Sequence, residues 1–257
     1  MAVHKYLIDQ ISMNWIHAIF QYLEDDMAME ELVETAEDEG IEFGKRRDVF
    51  NRLIDLNILE KYTEQRVSHL RWTSFGNVVR ALYVKSASKL PYLLHILQLA
   101  NAFNPKAKRY FTTYYYITDL LLEQENKTEA SKVFEVLYSR LAAHYPDDAI
   151  EGIEKSTIGK STVFLKEVLD ENFTPLTFID PTLMVFGIQQ YIEMKTGERD
   201  GRILITAKER KELSNILLIT PSQFEQHLEK TNKYTKAFES RYSTAGTILN
   251  SLKIMKL

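Results

Sequence analysis

Cysteine is absent from the chain, which excludes a disulfide framework, a thiolate metal site and a cysteine nucleophile. Glycine and proline are sparse, at nine and six residues, too few for a collagen-like or low-complexity protein. No stretch approaches the ~18 consecutive apolar residues that a membrane helix needs. Met1-Ala2-Val3-His4-Lys5-Tyr6 lacks the basic start and apolar run of a signal peptide. The expectation is a cytoplasmic protein with no membrane partner. What is present is ordinary for a folded chain of 257 residues: 45% are hydrophobic and 26% charged. The net charge of −4 classifies nothing by itself, but the charge is unevenly placed.

Apolar residues at Leu7, Ile8, Ile11, Trp15, Ile19, Phe20 and Leu23 recur at three- and four-residue steps, the period of one buried helix face. Nine acidic residues and no basic ones lie between Glu24 and Glu39, interleaved with Met29, Leu32, Val33 and Ala36. This reads as a second helix with an acidic outer face, stopped by Gly40. A third helix opens at Lys45-Arg46-Arg47 and turns Val49, Phe50, Leu53, Ile54 and Leu56 inward. Two short strands are expected at 58–62 and 67–73 around the polar turn Thr63-Glu64-Gln65-Arg66. A fourth helix follows, with Thr73 as its N-cap.

The exit from the third helix, Asn57-Ile58-Leu59-Glu60, and the post-hairpin Trp72-Thr73-Ser74-Phe75-Gly76 resemble the winged helix-turn-helix superfamily of bacterial transcription regulators. The resemblance covers roughly a third of the chain. It implies a three-helix unit with a β-hairpin wing, in which the third helix enters a DNA major groove and the wing tracks phosphates. Winged helices also serve as protein–protein modules, so the likeness speaks more to architecture than to function.

The fold class expected is mainly α: a winged helix at 1–86, a helical linker or dimerisation region at 87–145, and a helical C-terminal domain at 146–257. In the middle region, helices are expected at 90–103, 111–125 and 130–144. Further helix-turn-helix units are candidates at 150–173, with a polar turn at Lys155 to Thr157, and at 208–230, where Thr220-Pro221-Ser222 opens a helix. The apolar tail from Ile248 to Leu257 is expected to dock rather than fray.

Residues with chemical promise have simpler readings. Gly159-Lys160-Ser161 lacks the earlier glycine of a phosphate loop, because Glu154 stands there. Asp180, Glu193 and Lys195 are the residue types of a metal-dependent nuclease, yet Met184, Val185, Ile188, Tyr191 and Ile192 carry helical period through them. The six histidines show no zinc-ligand spacing. The run Lys106 to Tyr116 mixes cations and aromatics, as single-stranded nucleic-acid sites do, but helix packing explains most of it. No enzyme, cofactor or metal is expected.

Charge separates the remaining readings. From Ile41 to Lys85 there are nine basic and five acidic residues. The expected DNA contacts are Lys45, Arg46, Arg47 and Arg52 on the third helix, with Arg66 and Arg71 on or beside the wing. Pairing of these cations with the acidic segment at 24–39 would remove them from that role. A second basic stretch runs from Lys195 onward, twelve basic against seven acidic, including Lys230, Lys233, Lys236 and Arg241. The leading expectation is a non-enzymatic protein that binds double-stranded DNA, with a homodimer or protein partner. The alternative is an interaction subunit of tandem winged helices, similar to accessory subunits of chromosome-organising ATPases or non-catalytic components of phage-defence systems.

Overall fold

A computed structural model describes residues 13–43, 48–106, 109–123, 135–136, 138–139, 143, 155–170, 172–199, 201–243 and 249–255. Leu7, Ile8, Ile11, Lys45, Arg46, Arg47, most of 130–144 and the start of the 150–173 candidate lie outside the described residues. The chain is mainly helical with two three-stranded antiparallel sheets. It divides into two compact units, His4–Leu93 and, in the main, Leu94–Leu257.

The first unit begins with α1 (Met13–Tyr22), whose Ile16, Ile19 and Phe20 are buried. A short strand, β1 (Asp26–Ala28), leads into α2 (Met29–Asp38), and α3 (Asp48–Asp55) follows. The hairpin is β2 (Leu59–Glu64) and β3 (Val67–Trp72), and α4 (Ser74–Lys85) comes after it. Sheet order is β1-β3-β2. The strand at β1 was not expected: three residues carry no period of their own, and they are extended because β3 hydrogen-bonds to them.

Local chemistry accounts for the joints. Gly40, at φ +83°, ends α2 with its N–H on the Glu37 carbonyl and the Ile41 N–H on that of Ala36. This helix stop requires a left-handed residue, which glycine adopts at little cost. The hairpin turns through Gln65 and Arg66 at φ +47° and +69°, a two-residue turn whose twist matches its strands. Thr73 caps α4, its hydroxyl accepting from Gly76 N–H at 2.7 Å, and its own N–H reaches the Ile58 carbonyl at 3.1 Å. A Cβ on Gly76 would stand 1.9 Å from that carbonyl oxygen. Glycine is therefore needed where α4 backs onto the exit of α3.

The second unit contains most of α5 (Leu90–Asn101), then α6 (Arg109–Glu123) and α7 (Lys155–Lys166). The polar turn expected at 155–157 is instead the first turn of α7. Next comes α8 (Pro181–Thr196), opened by Asp180, whose carboxylate accepts from Thr182 N–H at 2.8 Å, with Pro181 in the first turn. Its residues from Leu183 to Ile188 are all buried, as an apolar helix packed on several neighbours must be. β4 (Arg202–Leu204), α9 (Ala207–Leu217), α10 (Phe224–Thr235), β5 (Phe238–Tyr242) and β6 (Leu249–Ile254) complete the chain. Thr220, Pro221 and Ser222 form the turn before α10 rather than its first residues. The apolar tail docks as a central strand, with Leu249 and Leu252 fully buried.

The element order α8-β4-α9-α10-β5-β6 repeats α1-β1-α2-α3-β2-β3, and the sheet order β4-β6-β5 repeats β1-β3-β2. Even the stop after the second helix recurs. Leu218, at φ +53°, takes the position of Gly40, with Ile219 N–H on the Ser214 carbonyl and Leu218 N–H on that of Asn215. Leu218 is fully buried, and that burial offsets a left-handed conformation costing about 1 kcal/mol or more.

Candidate nucleic-acid interface

Among the described residues, the cations expected to meet DNA from the first unit, Arg52, Arg66 and Arg71, do not form one face. Lys45, Arg46 and Arg47 lie outside the described residues. Arg52 is a correction: it is only 1% exposed, so its guanidinium is inside the unit and out of reach of a phosphate. The spacing carries the reason. Arg52 stands three residues after Val49 and four before Leu56, both buried, and so falls on the inward stripe of α3. Among the described residues of α3 with a side chain placed, Asn51 alone is exposed.

Arg71 is exposed but engaged. In the β1-β3-β2 sheet it lies opposite Asp26 on one side and Glu60 on the other. Its Nε donates to Glu60 at 2.6 Å, and its guanidinium lies 5.1 Å over the Tyr62 ring. Tyr62 stacks on His69 and donates its hydroxyl to Asp26 at 2.6 Å. The outer face of this sheet neutralises itself and ends slightly acidic, with Glu64 beside it. Arg66, at the hairpin tip, is exposed.

The second unit arranges the same elements with the opposite sign. On α10, Gln226, Glu229, Lys230, Lys233 and Tyr234 are exposed at three- and four-residue steps, hence on one face with two lysines to one glutamate. Tyr234 is 77% exposed. Lys236, at φ +53°, caps the helix end and is also exposed. On the sheet, Arg202 lies opposite Lys253, which lies opposite Glu239. Arg202 donates to Glu239 at 2.6 Å, and Arg241 lies 3.4 Å from the same oxygen. Two arginines therefore share one carboxylate. Between Pro181 and Ile254 the chain holds eleven basic and eight acidic residues; between Met13 and Trp72 it holds seven and fourteen.

A buried polar cluster in the second unit is the other place where chemistry could reside. Lys195, the lysine of the nuclease reading, donates from Nζ to Glu209 and Glu212 at 2.8 Å and to the Tyr191 hydroxyl at 2.7 Å. Tyr191 in turn donates to Glu212. Asp180 is engaged as the α8 cap, and Glu193 is not part of the cluster. Burial opposes the charge on Lys195, yet its hydrogen bonds to the two glutamates outweigh that and raise its pKa. Burial raises the Tyr191 hydroxyl, and the bond to Glu212 raises it further. Burial also opposes the charge on Glu209, but hydrogen bonds from Lys195 and Thr206 hold it at about 2. These shifts lock protons in place, whereas a lysine or tyrosine acting as base or nucleophile needs its pKa lowered. Among the described residues no group of three or more His, Asp or Glu is arranged to hold a metal, and no helix is long and apolar enough to cross a membrane.

Neighbouring bonds extend the cluster inward. Asp119 accepts from Lys211 and from the Asn215 amide at 2.8 Å. His95 donates from Nε2 to the Asn215 carbonyl at 3.3 Å, so its Nδ1 accepts the Tyr114 hydroxyl at 2.8 Å. Burial lowers the His95 pKa to about 3. Comparison with protein-family models, characterised proteins and solved structures finds no match to this chain.

Proposed function

We propose that the chain is a non-enzymatic protein that binds duplex DNA, built from two winged-helix units, and that the second unit carries the nucleic-acid surface. The observation that carries this reading is the repeated element and sheet order, with the basic exposed residues Lys230, Lys233, Lys236 and Arg241 on the third helix and hairpin of the repeat. In a winged helix those two elements face the groove and the flanking phosphates. Of the contacts expected in the first unit, Arg66 and Arg71 are exposed on the hairpin, Arg71 engaged by Glu60, while Arg52 is buried.

Binding of the full chain to random-sequence duplex DNA over a range of salt tests the proposal. Four phosphate contacts give a slope of roughly −3 to −4 in log affinity against log salt. Absence of binding at low salt sinks it.

The acidic first unit favours a second reading for that part of the molecule. With fourteen acidic residues between Met13 and Trp72, it repels phosphate and suits a protein partner, as winged helices used for docking do. A stable co-purifying partner, together with no DNA affinity, would make the whole chain an interaction subunit.

A further inference from the structure

A groove of about 380 Å3 opens between α10 and β5, lined by Leu228, Glu229, Asn232, Lys233, Ser240 and Tyr242. The volume falls at the lower end of small-molecule sites, roughly 300–1,000 Å3. Resting on the duplex-binding reading, we propose that this groove receives one unpaired nucleobase, guanine best, from a single-stranded tail beside the bound duplex.

Beside one cation, Lys233, the lining holds an apolar floor, a ring, a carboxylate and an amide, which suit a base better than a phosphate. Leu228 is 1% exposed and makes an apolar floor. Tyr242 supplies a ring on which a base stacks. Burial, followed by the charges of Glu229 and Glu225, raises the pKa of its hydroxyl. Glu229 brings a carboxylate into the groove, which repels phosphate and accepts N–H groups from a base edge. Asn232 brings the complementary group. Its Oδ1 accepts from Phe238 N–H at 2.9 Å, which fixes the amide and leaves its NH2 as a donor. A carboxylate accepts the adjacent N1–H and N2–H of guanine's Watson–Crick edge together and leaves O6 for the Asn232 NH2, whereas each other base offers a carboxylate one donor group there. In a duplex that edge is paired, so only an unpaired nucleotide presents it. Lys230, Lys233, Lys236 and Arg241, exposed on the same two elements or just beyond them, meet the phosphates on either side.

The test measures binding of the full chain to a blunt duplex and to the same duplex carrying a short tail of guanine or of thymine. The guanine tail should strengthen binding about 10-fold over the blunt duplex and exceed the thymine tail. Tyr242→Ala should abolish that gain, Tyr242→Phe should retain it, and Glu229→Gln should erase the preference for guanine. A blunt duplex that binds as well as either tailed one overturns the inference and leaves the duplex reading standing. A tail effect equal for both bases and unaltered by Tyr242→Ala and Glu229→Gln also overturns it, since phosphate attraction alone would then explain the gain. Failure to bind any of the three overturns both readings.

Discussion

The trio of helices and the sheet in the first unit, from Met13 to Trp72, and their repeat from Pro181 to Ile254 share element order, sheet order and the stop after the second helix, but not surface charge. In the first, charge is acidic and outside: α2 carries its glutamates into solvent, and Arg71 is consumed by Glu60 and Tyr62 on an open sheet face. In the second, exposed charge is mostly basic, and the acidic groups Glu209 and Glu212 are turned inward onto Lys195. Backbone topology is therefore indifferent to surface sign. Apolar spacing sets the first, and polar residues at the remaining positions set the second.

The largest expected contrast comes from cutting one ion pair in each unit. Glu212 is buried, so Glu212→Ala leaves Lys195 and Tyr191 without their shared acceptor and should cost about 3–5 kcal/mol in chemical unfolding. Arg71→Ala removes an exposed pair and should cost about 0.5 kcal/mol. Equal losses would mean that the buried cluster is not what distinguishes the second unit. Next is Gly76→Ala, a change specific to the first unit. The Ile58 carbonyl in its way is backbone and cannot swing aside, so a loss of about 3 kcal/mol is expected from calorimetry or denaturant titration.

Charge reversal sharpens the comparison in function. Lys230→Glu with Lys233→Glu should weaken duplex binding about 100-fold and flatten the salt slope by about 2, while Arg66→Glu should change affinity less than about 3-fold. The reverse ranking would return the DNA surface to the first unit.

Acid should act through the second unit. His95 is neutral when folded, with its pKa lowered from 6.5 to about 3. The unfolded chain takes up a proton below pH 6.5 that the folded one refuses, so stability falls as pH drops from there toward 3. Glu209, held at about 2 against an ordinary 4.5, stabilises above pH 4.5, and that contribution is lost as pH falls toward 2. Unfolding free energies at about pH 7 and about pH 5 should differ by on the order of 2 kcal/mol in denaturant titration, less in His95→Gln. A smaller loss than that of Glu212→Ala or Gly76→Ala is expected at the Gly40 helix stop. Gly40→Ala should cost about 1 kcal/mol, whereas Leu218→Gly relieves the backbone but loses a buried side chain, for a net loss.

Much of the first unit was legible because its signals are local. Gly40 as a stop, Thr73 as a cap and the polar Gln65-Arg66 turn each act on residues within a few positions. The helical period of Met184, Val185, Ile188, Tyr191 and Ile192 announced α8, although Asp180, Glu193 and Lys195 also invited a nuclease reading. The strands β1 and β4 were illegible: three residues have no measurable period, and their partners β3 and β6 lie far along the chain. Arg52 was misjudged because its charge was weighed above its spacing.

The sequence alone determined the helices and stops of the first unit, the helical period of α8 and how charge is divided between the two halves, since these depend on neighbours a turn away. Only the tertiary structure decided that Lys195 belongs with Glu209 and Glu212, that Arg71 faces Glu60, and that α10 and β5 enclose a groove. Each of these depends on strand register or helix packing between distant segments, and no local pattern encodes which of many compatible partners a side chain will meet.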